Sequence, residues 1–108
     1  MKLNIDMTGK RFTVSQEVGP KKDQNGNQRN EKDTGRPLWS TQVFVLDASG
    51  GDVITITTAG EKPNVKVGDV IAVEQLEAIP WATNGRNGTA FRALGLKTAS
   101  GSVASAKA

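Results

Sequence analysis

The chain has 108 residues, with 14 basic and 11 acidic side chains for a formal net charge of +3, and only 36% hydrophobic and 5% aromatic residues. That length holds one domain with a small core, and the mild charge leaves the choice of partner to where the charges sit. Cysteine, histidine and tyrosine are absent. Their absence excludes a disulfide framework, a thiolate metal site, a cysteine nucleophile and the commonest general base, so neither an enzyme nor a cofactor is expected. No apolar run approaches the roughly 20 residues of a membrane helix, and MKLNIDMTGKRF has no apolar core of a secretory signal, so the chain reads as cytoplasmic with no membrane partner.

Residues 1–18 place Leu3, Ile5 and Met7, then Phe12 and Val14, at a spacing of two, with Gly9 between. The alternation predicts one long first strand bent or bulged at the glycine. Residues 19–36 contain no large apolar side chain; they carry Lys21, Lys22, Arg29, Lys32 and Arg36 against Asp23, Glu31 and Asp33. So little apolar surface cannot offset the entropy of ordering, which predicts a flexible polar loop.

Residues 37–46 put Trp39, Val43 and Val45 on one face and Leu38, Phe44 and Leu46 on the other, a central strand apolar on both sides. Asp47 to Asp52, DASGGD, signals a hairpin turn, and Val53–Ala59 returns antiparallel. A break at Gly60–Asn64 leaves room for a turn or a one-turn helix. Residues 65–96 then read as a strand, an open loop over 80–88 and a returning strand. From Thr98 the tail is small and polar, predicting disorder over 98–108 after a single domain spanning 1–97.

Five strands in this order predict an all-β fold, a small OB-like or Greek-key barrel, with an open five-stranded sheet that dimerises over one face as the alternative. In the OB fold the loops after the first and fourth strands flank an oligonucleotide groove, here 19–36 and 80–88.

Single-strand binding calls for aromatic platforms and cations. Trp81 follows Pro80 at the loop mouth near Arg86. Either it stacks on a base while Arg86 meets a phosphate, or it folds back to cap the barrel end. Trp39, after Arg36, is a second platform or, by the apolar faces of its strand, a core residue. Phe44 and Phe91 read as core. Lys21, Lys22, Arg29, Lys32 and Arg36 form a basic arm that tracks phosphate or, diluted by Asp23, Glu31 and Asp33, a solvated loop, whereas Lys62, Lys66, Arg86 and Arg92 sit near strands and turns that would fix them. Asp47, Asp52 and Asp69 read as turn residues bonding nearby backbone N–H groups.

RPLWSTQVFVLD (36–47), the Thr-rich strand after it, VGDVIAVEQLEAIPW (67–81) and GTAFRALGL (88–96) resemble small accessory proteins of conjugative plasmids and integrative elements, of the replication, integration and excision activator type. The layout is also similar to a helicase-processivity family of conjugative elements, with Gly60-Glu61-Lys62 as the turn before the final hairpin. The resemblance implies an OB-like module serving replication or transfer by touching single-stranded DNA or a helicase or relaxase partner. Matching positions are Trp39, Lys62, Trp81, Arg86 and Arg92, and no catalytic residue is implied. The competing expectation is a protein-interaction module, a homo-oligomer or a structural β-protein, with both tryptophans in an interface.

Overall fold

The computed structural model describes residues 3–99. Those residues form one curled sheet of nine strands: β1 (Leu3–Asn4), β2 (Arg11–Val14), β3 (Gly19–Pro20), β4 (Leu38–Asp47), β5 (Gly50–Ala59), β6 (Val70–Glu74), β7 (Glu77–Thr83), β8 (Arg86–Arg92) and β9 (Gly95–Thr98). The order across the sheet is β1-β7-β8-β5-β4-β2-β6-β9, with β3 pairing β4 alongside. All pairings are antiparallel except β5 with β8, where Ile56 faces Phe91. Because β8 and β9 are nearly continuous in the chain, one stretch lines β5 with its first half and β6 with its second.

The all-β expectation holds, and the count of five strands is corrected to nine. The first strand divides where Thr8 and Gly9 turn, Gly9 taking a positive φ of 77°. The last arm divides after Arg92, where Ala93 still bonds Thr57 and Leu94 turns to Glu74. Residues 80–88, expected as an open loop, are instead the tip of the β7–β8 hairpin. Asn84 (φ 53°) and Gly85 (φ 78°) are its two central residues, the pair of positive angles that a tight hairpin turn requires. Pro80 does not interrupt it. Counting hydrogen-bonded pairs back from Thr83 opposite Arg86 puts Pro80 at a non-bonded pair, so its missing N–H would have pointed away from β8.

Residues 19–36 are tied together by backbone hydrogen bonds. Arg29 N donates to Lys21 O at 2.7 Å, Leu38 N to Arg29 O at 2.9 Å and Glu31 N to Arg36 O at 2.8 Å, and Asp23 accepts from the backbone N–H groups of Asn25 and Asn27. The polar side chains that cannot build a core here bond the turns locally. At the other end Thr98 closes β9, and the rest of the expected tail, 100–108, lies outside the described residues.

Alternation decides the core. Phe12, Val14, Val43, Ile56, Ile71, Val73 and Leu96 point inward and are buried together, with Ile5, Met7, Trp39, Val45 and Phe91 packed against them. Phe44 is corrected: its strand is apolar on both faces, and the Trp39–Thr41–Val43–Val45 face meets the core, while on the other face Leu38 is buried but Phe44 is 40% exposed. The Asp47–Gly50 hairpin forms as expected, with Asp47 Oδ1 accepting from Ser49 N at 2.8 Å. Asp52 likewise accepts from Val53 N, and Asp69 from Lys66 N.

Candidate functional site

Strand register determines which side chains share the outer face, away from the core. Opposite Phe44 lies Val53, and opposite Gln42 lies Thr55. The parallel pairing of Thr57 with Arg92 carries that face onto β8, and Gly88 opposite Trp81 carries it onto β7. Residues alternate by two along each strand, so Trp81, Arg86 and Arg92 all stand on the same face as Phe44 and Val53. Arg86 lies about 7 Å along the strand from Gly88, by the rise of two residues.

Trp81 is 46% exposed and covers its partner on β8. A Cβ built on Gly88 would lie 2.7 Å from the indole, so the glycine supplies the space in which the ring rests on the sheet. Phe44 fills the corresponding space above Gly51 on β5. Two aromatic rings are thereby carried on one sheet face, each still partly open to solvent. Between Trp81 and β5 runs a cleft of about 380 Å³ lined by Lys21, Thr55, Thr57, Trp81, Thr89 and Ala90 among others.

Lys21 reaches across β4, its Nζ donating to Thr57 Oγ1 at 2.9 Å. Burial, with repulsion from Arg29 and Arg92 added, holds its amine below the usual lysine range. Glu31 ties two further cations together: Arg36 Nη2 lies 3.2 Å from one carboxylate oxygen, and Arg92 pairs with the other. Thr34 Oγ1 donates to the same Glu31 at 2.6 Å. Lys21, Arg36 and Arg92 therefore meet at one end of the outer face.

Of the expected site residues, Lys21 and Trp81 line one cleft and Glu31 joins Arg36 to Arg92, while Arg86 shares the face of Arg92 at the opposite end of β8, about 20 Å away by strand rise. Lys22 is exposed and bridges to Gln28 within the 19–36 segment. Lys62 lines a different cleft with Glu17, Val18 and Lys66, sharing no lining residue with that of Trp81. Trp39 is committed to packing: it lies against the core, and its Nε1 donates to Gly60 O at 2.8 Å. Arg29, expected in the basic arm, bonds the backbone of Lys21; Phe44 and Glu31 are not among the expected site residues. The signal for Phe44 was available, since a two-residue turn at Ala48-Ser49 sets it opposite Val53 and beside Gly51. Nothing local marks the pairing of Glu31 with Arg92, which comes from a distant strand.

Among the described residues no group of three or more carboxylates offers a metal site, and no helix is long and apolar enough to cross a membrane. Compared with known proteins, the chain matches no family model, no curated protein and no solved structure.

Proposed function

We propose that the chain is a non-catalytic module that binds single-stranded nucleic acid across the outer face of β4, β5, β8 and β7. One observation carries the reading: the register places an exposed tryptophan, an exposed phenylalanine and several cations on the same sheet face. Bases offer π-faces to the rings and phosphates offer charge to the cations, which is the general mode of sequence-tolerant single-strand binding. An OB-like reading of the sheet points the same way. Taking β8 and β9 as one bent strand leaves β2, β4, β5, β6 and β8–β9 as five barrel strands, with β1, β3 and β7 as additions. The second and third of these, β4 and β5, then form the face on which OB folds bind oligonucleotides, flanked by 19–36 and by the β7 hairpin. The likeness of residues 36–96 to accessory proteins of conjugative elements suggests replication or transfer of a mobile element as the setting, with a helicase or relaxase as protein partner.

Labelled oligo-dT titrated with wild-type protein and with Trp81→Ala tests the reading by fluorescence anisotropy. Wild type is expected to bind, more weakly as salt rises, and to lose about 1–3 kcal/mol on substitution, the contribution of one stacked base. Unchanged affinity in a folded Trp81→Ala protein would remove the stacking role. A second reading, an assembly module, is favoured by Phe44, Leu46 and Val53, which leave an apolar patch exposed on the same face. It predicts a concentration-dependent mass by light scattering that Val53→Lys abolishes.

A further inference from the structure

Lys21 is a half-buried cation whose hydrogen bond goes to a neutral hydroxyl, that of Thr57. Among the described residues no carboxylate lies within ion-pair distance of Lys21 or of Arg29. Arg29 and Arg92 both act on Lys21 as like charges. The nearby carboxylate, Glu31, is already engaged by Arg36 and Arg92. Burying a cation among cations is costly unless a negative group is supplied, and the fold supplies one to Arg92 but none to Lys21. Lys21 and Trp81 line the same cleft, whose other lining side chains are hydroxyls and apolar groups with no acid.

We infer that Lys21, Arg29 and Arg92 form a seat for one phosphodiester of a bound strand, next to the base that rests on Trp81. The inference depends on the nucleic-acid reading above and names the part of the site that takes the backbone. A phosphate fits this seat because its oxygens accept at once from the Lys21 ammonium, the Arg29 guanidinium and the Arg92 N–H groups that Glu31 does not engage. Thr55, exposed on β5 within the cleft, offers a further hydroxyl toward the same strand.

The test is the salt dependence of oligo-dT binding by wild type, Lys21→Gln and, as a control from the separate cleft, Lys62→Gln. Glutamine retains a donor for Thr57 while removing the charge. Losing one phosphate contact on a single strand lowers the slope of log affinity against log salt by about 0.7, which corresponds to about a fivefold loss of affinity at 0.1 M salt. That change is expected for Lys21→Gln and not for Lys62→Gln. An oligonucleotide in which the phosphates are replaced by neutral methylphosphonates should bind wild type and Lys21→Gln equally, because the group that Lys21 reads is gone. If wild type binds oligo-dT but Lys21→Gln keeps its affinity and slope, the seat is wrong and the nucleic-acid reading stands. If wild type binds no oligo-dT at low salt, both fall. Should Lys21→Gln fail to fold, Arg29→Gln carries the same comparison, since its side chain is exposed.

Discussion

At the scale of single residues, the outer face depends on glycine as much as on aromatics. A ring can lie on a strand only where the neighbouring strand leaves room, and Gly88 and Gly51 leave that room for Trp81 and Phe44. A different local device closes the β4–β5 hairpin. Hydrogen bonds from Ser49 and then from Lys10 hold the Asp47 carboxyl well below the usual carboxylate range, and Lys10 Nζ lies 2.9 Å away as an ion pair. A depressed acid stabilises the fold above the unfolded carboxylate pKa of about 4 and loses that contribution as pH falls toward its folded value. Asp47→Asn is therefore expected to flatten the loss of stability below about pH 4. Urea unfolding at pH 7 and at acid pH, on both proteins, reads the difference; parallel acid limbs would show that Asp47 contributes nothing to the pH dependence.

At the scale of elements, the β7–β8 hairpin carries Trp81, Arg86 and Arg92, so its turn governs the site. Gly85 has φ of 78°, a conformation that a side chain disfavours by about 1–2 kcal/mol. Gly85→Ala should weaken the hairpin by that amount, accelerate amide exchange along β7 and reduce oligonucleotide affinity without touching a contact residue. Exchange confined to Asn84 and its neighbours, with affinity intact, would mean that the hairpin is held by the sheet rather than by its turn. Much of this element is legible: Asn84-Gly85 is a strong hairpin signal, and it stands between two runs of strand length. It was obscured by Pro80 and by the density of Asn, Gly and Arg, which composition alone assigns to a loop. The register resolves the conflict by putting Pro80 where no N–H is needed.

At the scale of the whole molecule, one continuous sheet encloses one core, with Ile56 fully buried where β4, β5 and β8 meet. Ile56→Ala is expected to cost about 2–5 kcal/mol, and denaturant unfolding should remain a single transition. Two transitions would divide the sheet into separately folding parts. The same closure brings residues 19–36 against β8, so that Glu31, from a segment with no core residue of its own, holds Arg36 and Arg92 together.

Legible in the sequence alone are the all-β character, the two-residue alternation of the strands, the Asp47–Gly50 hairpin and the prominence of Trp81. These rest on local chemistry: β-branched residues at period two, turn residues, and an aromatic beside cations. Only the tertiary structure decided that Phe44 faces outward, that Trp39 is spent on packing, that Lys62 lies apart, and that Lys21, Arg29 and Arg92 converge. Each of those depends on which distant strand becomes a neighbour, through the parallel pairing of β5 with β8 and the crossing of 19–36 over β4. Local pattern cannot specify that, because long-range pairing is set by how the whole apolar surface is best buried.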